Sequence, residues 1–139
     1  MKTIGLVIGS VIIFDQSLKF FAGSLLNIWR NQSLFFGKVY LPKELSEFFV
    51  FAILVFLILN WQRELIKNSF ENHVFLGLMV GGGISNLIDR IRFGYVIDYL
   101  NLRFWPAFNL ADAFIVLGMT GLIWRIFKPD NRAIIKKEL

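Results

Sequence analysis

Four long apolar segments, separated by polar or turn-forming residues, dominate the pattern of the chain. They cover residues 4–26, 45–61, 70–88 and 108–127. A helix that crosses a membrane needs about 20 mainly apolar residues. Backbone groups in lipid must satisfy their own hydrogen bonds, so segments of this length are predicted to be helices. The pattern therefore predicts an all-α membrane protein, a four-helix bundle that forms a single domain over residues 1–139.

The first segment is interrupted by two charged residues, Asp15 and Lys19. They are spaced i, i+4, so they share one helix face and can neutralise each other. Charges at membrane depth are costly and are functional candidates by default. We interpret the two as a structural pair that holds an uncleaved first helix against its neighbours, with direct chemistry as the alternative.

The distribution of basic residues predicts the orientation of the bundle. Four crossings place both termini on one side, and that side carries eight lysines and arginines against six on the other. The positive-inside rule then predicts cytoplasmic termini. Two connections, 27–44 and 89–107, face outward. Within the first, residues 33–41 are aromatic-rich and β-prone, which fits either a small hairpin or an irregular loop anchored in the headgroup zone.

Composition narrows the candidate chemistry. The chain is 56% hydrophobic and only 18% charged, which excludes an ordinary water-soluble domain. It contains no cysteine, which excludes disulfides, thiolate nucleophiles and cysteine-ligated metals, and its single histidine excludes multi-histidine metal sites. The net charge of +5 comes from scattered bases, so a bilayer is a simpler partner than nucleic acid.

The remaining acids gather near one boundary. An Asn-Leu-x-Asp unit closes the third segment at residues 86–89 and opens the fourth at 109–112, with Asp98 between them. If the third and fourth helices are antiparallel, Asp89, Asp98 and Asp112 should converge at the outer boundary. Carboxylates that share protons can activate a water and donate to the carbonyl under attack. Peptide hydrolysis by an aspartate dyad fits this chemistry.

Structural alternatives apply to two of these acids. Asn109 and Asp112 have the spacing of a capping box at the start of a helix. Asp89, at a helix C-terminus, is better explained as a structural ion pair with Arg90 or Arg92. Asp98 follows an apolar stretch where an unpaired carboxylate gains nothing structurally, so it is the strongest candidate for the chemical acid.

Five blocks of sequence together carry a family resemblance. The most specific are residues 82–90 (GGISNLIDR), 94–98 (GYVID) and 106–112 (PAFNLAD), preceded by 15–19 (DQSLK) and 31–37 (NQSLFFG). In this order they resemble the signature blocks of bacterial lipoprotein signal peptidase, also called signal peptidase II. The match covers nearly the whole chain.

The resemblance implies an aspartic endopeptidase of the bacterial cytoplasmic (inner) membrane, multi-pass, with its active site near the outer face. It implies a small β-cradle, a short mobile outer segment, and no metal or cofactor. The substrates would be lipid-modified prolipoproteins, cleaved before the diacylglyceryl-modified cysteine among membrane lipids, and globomycin-type peptides would inhibit. Asp98 and Asp112 would be the catalytic dyad. The resemblance assigns substrate binding or dyad support to Asn31, Asn86, Arg90 and Asn109, and a structural role to Asp15, Lys19 and Asp89.

A second hypothesis comes from another functional class. A small four-helix transporter with Asp15 as its coupling acid would explain the size and topology equally well. It leaves the repeated Asn-Leu-x-Asp units and the outward clustering of acids unexplained.

Overall fold

The computed structural model describes residues 2–25, 28–31, 69–104 and 106–127. This part of the chain forms three helices and a two-stranded antiparallel sheet. The protein is therefore mostly helical, as the apolar pattern predicts. The predicted helix at 45–61 and the predicted hairpin or loop at 33–41 lie outside the described residues.

The first helix, α1, covers Lys2–Leu25 and matches the first predicted segment closely. Its buried residues are Val11, Asp15, Lys19 and Ala22, which recur every three or four positions and form one face. The other faces carry exposed apolar side chains such as Phe20, which is 76% exposed. Charges inside and apolar groups outside are the arrangement expected of a helix surrounded by lipid.

The second helix, α2, covers Phe70–Phe93 and extends beyond its predicted end at residue 88. It begins at Ser69, whose side chain accepts a hydrogen bond from the Asn72 backbone N–H, and it ends at Gly94. Gly94 has φ 79°, a left-handed conformation that favours glycine, and its N–H donates to the Arg90 carbonyl. The prediction that Asp89 closes the helix is wrong, because this glycine supplies the stop one turn later. In the described part of the chain, α1 and α2 are long and apolar enough to cross a membrane.

The third helix, α3, covers Leu110–Phe127 and packs against α2 in the opposite direction. By contrast, α1 and α2 run parallel with a constant register. The residues that face each other are Val7 and Gly77, Val11 and Gly81, Asp15 and Ser85, and Lys19 and Asp89. The C-terminal ends of α1 and α2 and the N-terminal end of α3 therefore meet at one end of the bundle.

Glycines in α2 allow both neighbouring helices to approach closely. A Cβ built on Gly81 would lie 2.9 Å from the Cβ of Val11 in α1. One built on Gly82 would lie 2.5 Å from the Ala111 carbonyl oxygen in α3. Real Cβ atoms do not approach backbone this closely, so α3 occupies the space that a side chain at residue 82 would need.

Replacing Gly82 by alanine is expected to destabilise the protein by about 1–3 kcal/mol, because the added methyl group overpacks the α2–α3 contact. Thermal unfolding in detergent measures the effect. Gly9→Ala is the matched control, since a Cβ there has nothing within 4 Å. An equal unfolding temperature for the two variants would contradict this close contact.

The two strands lie at the end of the bundle where the three helix ends meet. Strand β1 (Trp29–Asn31) pairs antiparallel with β2 (Val96–Asp98). Asn31 lies opposite Val96, which places its side chain on the same face as Asp98. A bridge between Leu100 and Phe108 then closes the loop that leads into α3.

Candidate active site

Asp98 is the last residue of β2 and is almost completely buried, with 1% of its surface exposed. Both of its carboxylate oxygens accept hydrogen bonds from asparagine side chains. The Asn109 Nδ2 donates to Oδ1 and the Asn31 Nδ2 donates to Oδ2, each at 2.8 Å. The structure thus brings together three of the predicted site residues, from β1, β2 and the start of α3.

Asp112 lies in the first turn of α3, and its two oxygens have different partners. Its Oδ2 accepts from the Asn109 backbone N–H at 3.2 Å, while the Asp112 N–H donates to the Asn109 Oδ1 at 3.0 Å. This reciprocal pair is the capping box that the spacing predicts. Its Oδ1 accepts from the Asn86 Nδ2 at 2.8 Å. Capping uses only the Oδ2 of Asp112, so a capping role does not exclude a catalytic role for this carboxylate.

Asn109 connects the two aspartates. It is fully buried, and its Oδ1 accepts from the Asp112 backbone while its Nδ2 points toward Asp98. The same Nδ2 also lies 3.1 Å from the Asn86 Oδ1. A single side-chain amide thus holds the strand that carries Asp98 against the helix that carries Asp112.

Burial raises the pKa of Asp98 from its ordinary value of 3.8 to about 7, and the negative charge of Asp112 adds to this effect. Hydrogen bonds from Asn31 and Asn109 lower the pKa, because N–H donors favour the ionised carboxylate, and the charge of Lys19 acts in the same direction. Asp98 is therefore able to gain or lose a proton close to neutral pH.

Replacing Asn31 by alanine is expected to move the titration of Asp98 to higher pH. The change removes a donor that stabilises the ionised form, so the protonated form persists further into the alkaline range. Infrared difference spectroscopy of the carboxyl C=O band during a pH titration measures the midpoint, and Asp98→Asn identifies the band. The wild-type midpoint should lie at about 7.

The control for this titration is Asn101→Ala, which removes an exposed amide whose oxygen accepts from the Arg103 backbone. It should leave the midpoint unchanged. A midpoint in Asn31→Ala that equals the wild-type value would contradict the role given to the Asn31 donor.

Lys19 is the centre of a second buried cluster beside Asp98 and Asp112. Its Nζ lies 2.7 Å from the Asp15 Oδ2 and 2.8 Å from the Asp89 Oδ2, and it donates to the Asn86 Oδ1 at 2.9 Å. The predicted pair with Asp15 is present. An ammonium group has only donors, so the Asn86 carbonyl must face it and the Asn86 NH₂ must face Asp112. Lys19 thereby fixes the direction of the hydrogen bond that reaches Asp112.

Asp89 forms a structural ion pair, as predicted, but its partner is Lys19 rather than Arg90 or Arg92. Asp89 lies on the face of α2 that packs against α1, where Lys19 reaches it. The side chain of Arg90 instead donates to the Asn86 carbonyl oxygen at 3.5 Å, and that of Arg92 lies over the Phe93 ring. Arg90 is also buried, and its positive charge acts on Asp112.

Two further polar residues complete the cluster and were not predicted as site residues. Ser85 donates to the Asp15 Oδ2 at 2.7 Å, and Gln16 donates to the Asp89 Oδ1 at 2.8 Å. Each is a polar residue within an apolar segment, and each is adjacent in sequence to a predicted site residue, Asp15 or Asn86. This position in the sequence could have identified them. Both contacts tie α1 to α2.

Three side chains from different elements satisfy the first backbone N–H groups of α3. The Tyr99 hydroxyl accepts from Leu110, the Asp15 Oδ1 accepts from Ala111, and the Asn109 Oδ1 accepts from Asp112. Burial, followed by the charge of Asp15, raises the pKa of Tyr99 to about 12, so its hydroxyl stays neutral. The start of α3 is therefore fixed from three directions.

The transporter hypothesis gains no support, because Asp15 is fully buried and holds α1, α2 and α3 together.

Comparisons with known proteins agree on one family. The family model for signal peptidase (SPase) II matches residues 7–128. Lipoprotein signal peptidase from Caldanaerobacter subterraneus subsp. tengcongensis is 33% identical over 144 residues, which cover 91% of this chain and 97% of that protein. The enzyme of that name from Halothermothrix orenii is 40% identical over 104 residues, 73% of this chain and 69% of the relative. The match to the protein of that name from Moorella thermoacetica, at 46% identity, spans 58% of this chain and about half, 53%, of the relative.

Two solved structures share the fold. Both are of a bacterial membrane enzyme, and each is 23% identical to this chain. The first has a TM-score of 0.78 and covers 99% of this chain and 90% of its own. The second has a TM-score of 0.80 and covers 92% and 94%.

Proposed function

Because this chain belongs to the signal peptidase II family of aspartic peptidases, we propose that it removes signal peptides from diacylglyceryl-modified prolipoproteins. It cleaves the peptide bond before the lipidated cysteine by means of Asp98, Asp112 and an activated water. The observation that carries the proposal is the buried unit in which Asn109 donates to both carboxylates, to Asp98 from its side chain and to Asp112 from its backbone N–H. Two carboxylates in different environments are what acid–base hydrolysis requires.

The environments of the two aspartates support a different role for each. Asp112 lies at the positive end of the α3 dipole and accepts a backbone N–H and the Asn86 amide, and these contacts offset part of the cost of burying its negative charge. It takes a proton from the attacking water. Asp98 has a pKa of about 7 and lies at a strand end, so its protonated form donates to the carbonyl oxygen of the scissile bond.

The helix directions support a four-helix topology with both termini in the cytoplasm. Since α1 and α2 are parallel, two membrane crossings in the same direction require a return crossing between them. The apolar segment at 45–61 has the composition for this crossing. The protein is then a multi-pass protein of the bacterial inner membrane, with Asp98 and Asp112 near the outer face. We propose that the sheet of β1 and β2 is part of a small β-cradle, which lies next to a mobile outer segment.

The substrate enters from the side, within the bilayer. Its acyl chains stay in lipid, while the signal peptide unwinds at the outer boundary to present a carbonyl to Asp98 and Asp112. Trp29 at the start of β1 is 41% exposed, and tryptophan is favoured in the interfacial zone. Asn31 and Arg90 support substrate binding, and globomycin-type peptides compete for the same site.

Cleavage of a purified prolipoprotein by the purified protein tests this function. The lipid-modified precursor should be cleaved and the unmodified precursor should not, at matched concentrations in one detergent, because each buried acyl CH₂ contributes about 0.8 kcal/mol to binding. Changing charged residues beyond the cysteine should matter far less, and globomycin should block the reaction. Equal turnover of both precursors would contradict the proposed entry route, and no cleavage of either would contradict the function.

A further inference from the structure

Two arginines and two aromatic rings stack in a continuous row at the same end of the bundle. The guanidinium carbon of Arg30 lies 5.4 Å from the centroid of the Tyr95 ring, which stacks on Phe93 at 6.0 Å and 30°. The guanidinium carbon of Arg92 lies 5.6 Å from the centroid of the Phe93 ring. These four residues, Arg30, Tyr95, Phe93 and Arg92, are called the arginine–aromatic ladder below.

The backbone brings the ladder together from two separate parts of the chain. Phe93 ends α2 and Tyr95 follows the left-handed Gly94, so a tight turn connects the two stacked rings. Arg30 comes from β1 and lies opposite Ile97, which is two residues from Tyr95 and therefore on the same face of the sheet. The ladder thus spans the junction between α2 and the sheet.

The guanidinium groups of the ladder keep their donors available. Stacking on a ring uses the flat face of a guanidinium and leaves its N–H edges free to bind oxygens. Within the described part of the chain, the basic partners in ion pairs are Lys19 and Arg125, and neither Arg30 nor Arg92 contributes to one. Both side chains are exposed. The ladder therefore presents two fixed positive charges, which complement an anion with several oxygens.

A purely structural explanation accounts for only part of this arrangement. A cation near the C-terminus of α2 stabilises the helix dipole, and Arg92 occupies such a position. Arg90 lies in the same last turn and is buried, so the helix end already has another cation. The dipole also gives no reason for Arg30, which comes from β1.

The surroundings of the ladder indicate a lipid rather than a dissolved anion. Phe93 within the ladder is 47% exposed, and Ile91, next to Arg92 in the sequence, is 62% exposed. Exposed apolar and aromatic side chains beside arginines are typical of the interface between lipid and water. We propose that the arginine–aromatic ladder binds the phosphodiester headgroup of an anionic phospholipid, with the acyl chains alongside α2. This goes beyond the proposed peptidase function and does not depend on it.

Native mass spectrometry of the full chain released from neutral detergent tests the binding. The probes are dioctanoyl phosphatidylglycerol, dioctanoyl phosphatidylcholine and inorganic phosphate. One arginine near an anionic lipid contributes about fivefold in affinity, so two should give a preference of roughly 25-fold for phosphatidylglycerol over phosphatidylcholine. Arg30→Gln with Arg92→Gln should remove nearly all of this preference, and Arg92→Gln alone should remove about fivefold.

Arg103→Gln is the matched control, since Arg103 is exposed in the loop before α3 and stacks on no ring within the described residues. It should change the preference by less than about twofold, the effect of a distant surface charge. A retained preference in the double variant, or an equal loss in Arg103→Gln, would overturn the proposal. Inorganic phosphate that displaces the lipid at millimolar concentration would overturn the choice of a lipid. If the double variant does not fold, Arg92→Gln, which leaves the sheet intact, decides the question by the same fivefold criterion.

Discussion

Asp98→Asn and Asp112→Asn are each expected to lower kcat by roughly 10³-fold or more. Each change keeps the size of the side chain but removes the group that donates or accepts a proton, and such groups contribute about 10²–10⁴-fold. Cleavage of a lipid-modified prolipoprotein in detergent measures the loss. Glu71→Gln is the matched control, because it removes an exposed carboxylate that pairs with Arg125 at the opposite end of α2.

The same Asp98 variant should be at least as stable as the wild type above neutral pH. The folded-state pKa of Asp98 lies above its ordinary value of 3.8, so the folded protein binds more protons than the unfolded chain between pH 3.8 and about 7. Stability is therefore lost as the pH rises through this window, and Asp98→Asn escapes that loss.

Near-normal cleavage by either Asp98→Asn or Asp112→Asn, with Glu71→Gln also normal, would contradict the catalytic role of the two aspartates.

Lys19→Met is expected to destabilise the protein by about 3–5 kcal/mol, because it leaves buried carboxylates without their cation. Thermal unfolding in detergent measures the loss. The sequence predicted one carboxylate, Asp15, beside Lys19, whereas the structure places two there, Asp15 and Asp89. Adding Asp15→Asn should recover part of the stability, and adding Asp89→Asn as well should recover more.

Arg125→Met is the control for this series. Its ion pair with Glu71 is partly exposed and should be worth less than about 1 kcal/mol. Losses that simply add up across the Lys19, Asp15 and Asp89 variants would reject the coupling, since residues in one buried network interact.

The sequence predicted the features that depend on local spacing. The apolar segments predicted α1, α2 and α3 to within a few residues at most ends. The i, i+4 spacing predicted the pair of Asp15 and Lys19, and the short connection between the third and fourth segments predicted that Asp89, Asp98 and Asp112 lie near the same end of the bundle. These patterns act within one helix or across one short connection, so they can be read without knowing the tertiary structure.

Features that depend on the register between distant helices could not be predicted in this way. Asp89 was assigned to neighbouring arginines, because nothing in its own segment indicates that Lys19 of α1 lies opposite it. Tyr99 was missed for the same reason, since its partner is the backbone of a helix that begins 11 residues later. The extension of α2 to Phe93 was missed because the charged residues Asp89, Arg90 and Arg92 were taken as its end, and the left-handed Gly94 was not recognised as its cap.

The parallel register of α1 and α2 also sets the order in which charges meet during biosynthesis. Lys19 faces Asp89, which is 70 residues later in the chain. At about 5–20 residues per second, the ribosome adds those residues in roughly 4–14 s. The second carboxylate that faces Lys19 is therefore made several seconds after Lys19 itself. During that interval Asp15 is the residue that neutralises Lys19, so the two enter the membrane as a neutral pair, and the cluster gains its second carboxylate only when α2 inserts beside α1.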